Sequence, residues 1–182
     1  MARCLSSPAA TLLMLCGLLA APGLTSPKAS AQELALTREV RLTFERTDRH
    51  LSRTGDPIWD LRVEIPGEPV RHFEAVSGRA DRQRANRHQM GSEAPLPQGH
   101  YAIGAIEPLG RQDPTELGPI WIGIEPLFPT GRRVLGIHLD PSAGINWNSG
   151  TGGCIGLIRR ADMLSLAELV KRSHAQTLVV NN

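Results

Sequence analysis

Apolar residues alternate with polar ones along three segments of the chain, with the two-residue period of a strand half-buried against a core. Val40, Leu42 and Phe44 do so across residues 38–45, and Leu61, Val63 and Ile65 across 58–65. Phe73 and Val76 continue the pattern in 70–76, after Pro66-Gly67-Glu68-Pro69, which reads as a hairpin turn. Further strands are predicted over 99–106, 119–125, 134–140 and 175–180, with Gly or Pro at nearly every junction. The period changes to helical once: Ala161, Leu164, Ala167 and Val170 predict a helix over 161–173, with Lys171 and Arg172 where the dipole favours cations. The expected fold class is therefore mainly β with one principal helix. Two long loops, 77–98 and 107–118, exceed what connection requires and point to function or disorder.

The N-terminal residues follow a different pattern. Arg3 precedes an apolar run over residues 9–21, and Ala29-Ser30-Ala31 offers the small-x-small pattern of a signal peptidase site. The run falls short of the roughly 20 residues of a membrane span. Residues 1–31 are expected to be a secretory signal peptide and 32–182 a single domain, exported to a periplasm or cell wall, with no membrane span. Leu15 before Cys16 speaks against cleavage as a lipoprotein.

Charge and cysteine content then narrow the chemistry. The net charge of +2 resides in Arg3 and Lys28; without them 18 basic residues face 18 acidic ones. No basic stripe carries aromatics, so nucleic acid is not an expected partner. Without Cys4 and Cys16, only Cys154 remains. A lone cysteine in an exported protein is an inert buried thiol, an intermolecular bridge or a reactive group.

The surroundings of Cys154 favour reactivity. His138 falls on an apolar strand and Cys154 follows 16 residues later, across a Gly-, Ser- and Asn-rich loop that lets the chain return. An imidazole beside a thiol favours thiolate and supplies a proton to the leaving group. Gly152-Gly153 allows a sharp turn, after which the Gly153 N–H could point at an oxyanion. The bland alternative is a tight turn feeding a buried strand cysteine.

Ile137-His138, then Thr151-Gly152-Gly153-Cys154, resembles the signature of the L,D-transpeptidase catalytic domain: a His, a variable loop, then Ser or Thr, any residue, Gly and Cys. Pro95-Leu96-Pro97-Gln98-Gly99-His100-Tyr101-Ala102-Ile103-Gly104 is similar to that family's Thr-Pro-x-Gly-x-Tyr/Phe-x-Ile strand, and Val76-Ser77-Gly78 to its Ser/Thr-Gly strand end. In family order, these matches span most of residues 38–180. The resemblance implies a β-sandwich of mixed sheets with one principal helix. It also implies a cysteine acyltransferase on peptidoglycan stem peptides, either L,D-transpeptidation through a Cys154 thioester or L,D-carboxypeptidase hydrolysis. By it, Cys154 is the nucleophile and His138 the base and acid, its ring oriented by the Leu139 backbone carbonyl. Thr151, Gly152 and Trp147 would line the substrate. The chain departs from the family at Gly152, where a second His is usual, at Gly156, where Arg or Asn is common, and at Leu139-Asp140.

Trp147 suits a wall over a peptide or a loop anchor. Arg79, Arg82, Arg84 and Arg87 suit a solvated loop face better than an anion site. Cys154, His138 and Asp140 do not make a convincing zinc set, so no metal and no cofactor are expected. The partners expected are stem peptides, with the protein a monomer. The competing reading is a non-catalytic cell-wall-binding module that keeps the fold.

Overall fold

A computed structural model describes residues 39–181; the signal-peptide expectation and the predicted start of the first strand at Arg38 lie outside them. Eight strands form: β1 (Arg41–His50), β2 (Pro57–Glu64), β3 (Arg71–Val76), β4 (Gly99–Pro108), β5 (Ile120–Pro126), β6 (Leu135–Leu139), β7 (Ile155–Leu157) and β8 (Thr177–Val180). The α-helix among the described residues, α1 (Arg160–Ser173), lies between β7 and β8. None of their helices is long and apolar enough to cross a membrane. The structure is mainly β with one principal helix.

The strands pair in the order β1-β2-β3-β7-β6-β5-β4-β8, and β8 returns to β1, closing a barrel. Here the structure corrects the expected β-sandwich. A sandwich keeps two sheets apart; β8 instead runs parallel to β1 and antiparallel to β4, so it joins both margins and leaves no edge. The β6–β7 pair is also parallel, and the remaining pairs are antiparallel.

Alternation along the strands fills the interior. Register places Phe44 opposite Leu61 and Leu61 opposite Phe73. It likewise places Ile122 opposite Ile137 and Ile137 opposite Ile155. All six residues belong to one buried cluster. The predicted hairpin forms at Gly67, whose φ of 80° sits in the left-handed region, and Glu68 N donates to Ile65 O at 3.0 Å.

Helix α1 begins one residue before its predicted start, but its buried stripe differs in phase. Ala161 is exposed and Leu164 is 46 % exposed, whereas Met163, Leu166, Ala167 and Val170 are buried. That set has the i, i+3, i+4, i+7 spacing that faces a core, and α1 contacts β5, β6 and β7. Strand β7, absent from the predicted strands, is three residues long and fully buried. Burial on both faces left it no alternation to read.

Candidate active site

The parallel β6–β7 pair organises the site. Its register sets His138 beside Gly156, so Cys154, two residues before Gly156, falls on the same face as His138. That face points away from the interior row of Ile137, Leu139, Ile155 and Leu157, and loops cover it. His138 is only 6 % exposed. Cys154 is half-buried at the entrance to β7. Both line a cavity of about 650 Å³ with Arg79, Glu116, Asp140 and Gly152.

His138 is held from two sides. Its Nδ1 lies 2.8 Å from the Leu139 carbonyl. A carbonyl only accepts, so Nδ1 carries the proton and Nε2 keeps its lone pair. The Trp121 indole of β5 stacks on the imidazole, 5.8 Å between centroids and 13° between planes. Gly136 makes that possible, because a Cβ there would lie 2.3 Å from the indole.

Cys154 is pinned through its backbone. Its carbonyl accepts from Ser77 Oγ at 3.0 Å and from Thr151 Oγ1 at 2.8 Å. Ser77 Oγ also accepts from Leu96 N at 2.9 Å, tying the 77–98 loop to the turn before Cys154. Asp140 clamps both ends of the β6–β7 connection: Oδ1 accepts from Ser142 N and Oγ at 2.9 and 2.6 Å, and Oδ2 from Gly150 N at 2.8 Å. Lying two residues along from His138, Asp140 shares its face.

Burial sets the charge state of the pair. It holds the His138 imidazole below its ordinary value, against the Leu139 hydrogen bond and the negative Asp140 and Glu116. It likewise pushes the Cys154 thiol up, against a backbone hydrogen bond from Gly136 and the nearby Arg132 cation. The site therefore rests as neutral thiol and neutral imidazole, not as the thiolate–imidazolium pair the sequence suggested.

Of the expected substrate contacts, Thr151 and Gly152 line the cavity with Cys154 and His138, and Trp147 does not. Thr151 Oγ1 donates to Cys154 O and accepts from Gly78 N and Gly153 N, each at 3.1 Å. One donor and two lone pairs are then used, so the hydroxyl builds the turn and has nothing left for a substrate. For the same reason the Gly153 N–H is turned to Thr151 and not into the cavity. Trp147, 87 % exposed, lines a neighbouring cavity of about 500 Å³ with Arg53, Asp56 and Asn146, and does not roof the cavity shared by Cys154 and His138. Gly152 does line that cavity, and no atom lies within 4 Å of where its Cβ would stand.

Other contributors were not placed beside Cys154 and His138 by the sequence. Trp121 could have been inferred from a Gly-x-His strand facing a Trp-bearing one. Glu116, on the 3₁₀ turn Thr115–Leu117, enters the cavity because that turn packs on β6. Arg79 is drawn inward from the loop face, donating to Ser149 O at 3.1 Å and Trp147 O at 3.4 Å. Arg132 is brought beside Cys154 by the β5–β6 loop. Among the described residues, no cluster of three or more His, Cys, Asp or Glu could hold a metal ion.

Known proteins add little to this geometry. No family model matches the chain, and no curated protein matches it. One solved structure, that of Bdellovibrio bacteriovorus Bd1075, aligns at 16 % identity with a TM-score of 0.46. The alignment covers 78 % of this chain and 48 % of that one, so this chain spans about half its length.

Proposed function

We propose that the protein is an exported cysteine acyltransferase acting on peptidoglycan stem peptides, of the L,D-transpeptidase or L,D-carboxypeptidase kind. The observation that carries this reading is the arrangement on β6 and β7. A histidine on β6 and a cysteine just before the neighbouring parallel strand β7 line one cavity, and the histidine's Nδ1 is committed to a carbonyl, leaving Nε2 basic. The ordered resemblance to the L,D-transpeptidase domain supplies the substrate class.

In this mechanism His138 Nε2 takes the Cys154 Sγ proton as sulfur attacks the carbonyl carbon of the diaminopimelate or equivalent residue. The tetrahedral intermediate collapses by breaking the C–N bond. The departing D-amino acid nitrogen takes the proton from His138, and a Cys154 thioester remains. An acceptor amine, or water, then gives its proton to His138 and attacks the thioester, and the sulfur leaves and is reprotonated. The Cys154 amide is the oxyanion donor nearest the reaction; Gly153 joins it only by releasing Thr151.

Purified sacculi incubated with the protein and analysed as muropeptides by mass spectrometry test the reading. New 3–3 cross-linked dimers are expected for transfer and shortened stems for hydrolysis, both lost in Cys154→Ala. Unchanged muropeptides, together with retention of the protein on sacculi, would replace the enzyme with a wall-binding module.

A further inference from the structure

Arg132 is a buried cation without an anion. It is 5 % exposed, and its guanidinium donates only to neutral oxygens: Gly152 O at 2.5 Å, Arg87 O at 3.4 Å and Ser92 Oγ at 3.5 Å. No carboxylate pairs with it among the described residues. Removing a guanidinium from water without a counter-charge is costly, so folds seldom keep one that does nothing.

Its position gives the cost a use. A Cβ on Gly153 would lie 1.8 Å from Arg132 Nη2, so the guanidinium packs directly against the residue before the nucleophile. The backbone delivering it is strained: Val134, β-branched and 85 % exposed, has a φ of 54°. The Val134 carbonyl approaches Cys154 Sγ at 3.9 Å, so the strained turn meets the thiol itself.

We infer that Arg132 is a positioning residue for Cys154, anchoring the 151–154 turn through Gly152 O and supplying the positive charge that stabilises the thiolate as the thiol loses its proton. This rests on Cys154 being the nucleophile. The other charged or titratable groups nearby are His138 from β6, Asp140 just after it, Glu116 from the 3₁₀ turn and Arg79 from the 77–98 loop, all lining the cavity, with Glu125 and Arg133 sharing a second pocket with Arg132. Tyr101 of β4 and Arg87 neighbour Arg132; burial keeps the Tyr101 phenol protonated. Arg132 is thus the cation whose charge couples to the thiol, and the coupling acts against burial.

The test is the pH profile of Cys154 alkylation by iodoacetamide, without substrate, in the wild type, Arg132→Lys and Arg132→Gln. Both variants lose the planar fork, and only lysine keeps the charge. The expected result is a midpoint on the order of one pH unit higher in Arg132→Gln than in Arg132→Lys. Equal midpoints would reduce Arg132 to a structural strut. Should the glutamine variant not fold, the wild type decides alone. A neighbouring cation makes iodoacetate gain on iodoacetamide several-fold relative to a free thiol, and an unchanged ratio overturns the inference. A Cys154 that reacts at no pH in the folded protein would end the nucleophile reading and this one together; a reactive thiol indifferent to Arg132 would end this one only.

Discussion

Two adjacent glycines before Cys154 play opposite parts. Gly153, with φ at 115° and Arg132 against its Cα, has neither the backbone nor the space for a side chain. Gly153→Ala is expected to cost about 1–3 kcal/mol from the backbone alone, before the guanidinium is displaced. Gly152 lies outside the left-handed region and has open space around it. Gly152→His, which restores the residue usual in the resembling family, is expected to change stability by less than about 0.5 kcal/mol. Urea unfolding midpoints of the two variants check the contrast, and a Gly152→His as damaging as Gly153→Ala would refute it. A sharp turn was legible in Gly152-Gly153, but not which glycine is indispensable. That is decided by Arg132, which arrives from 20 residues upstream through a strained loop with no local signature.

At the level of elements, the site is a property of three strands. β5 supplies Trp121, β6 supplies Gly136 and His138, and Cys154 immediately precedes β7. Trp121→Ala removes the plate that covers the imidazole. Because burial is the largest influence holding His138 down, opening that face is expected to raise its titration midpoint toward the ordinary value of about 6.5. An NMR pH titration of the His138 ring reads this directly; an unmoved midpoint would mean that the loops alone exclude water. On the neighbouring element, Thr151→Val leaves Cys154 O with one donor and strips Gly78 N and Gly153 N of their acceptor. Each buried group left unpaired costs about 1–3 kcal/mol, so this variant should be among the most destabilising at the site. Denaturant titration checks it. Strands such as β2 and β8 were readable because one face of each meets the core, and β6, buried throughout, was readable from its longer apolar run. β7 was not, being too short and buried throughout, and the helix stripe was misphased because Leu164, apolar but exposed, mimics a core position.

Over the whole molecule, closure and charge act together. Closure was not legible, because β8 pairs with β1 and β4 over long sequence separations that no local pattern reports. Once closed, the barrel and its loops cover a thiol and an imidazole whose titration burial shifts, and stability should carry their signature. His138 has a lowered midpoint in the folded state, so below about 6.5 the unfolded chain takes up a proton that the folded protein refuses. Its contribution is present above that pH and lost as pH falls toward the folded midpoint. Cys154 has a raised midpoint, so its contribution is present below the ordinary thiol value and lost as pH rises through the folded one. The neutral dyad therefore bounds a plateau of stability on both sides. Thermal unfolding across pH should show the acid slope flattened in His138→Gln and the alkaline slope flattened in Cys154→Ser, with the opposite limb unchanged in each. If both limbs survive in both variants, the carboxylates and other surface groups set the pH dependence. The thiol and imidazole would then be less buried than their place on β6 and β7 requires.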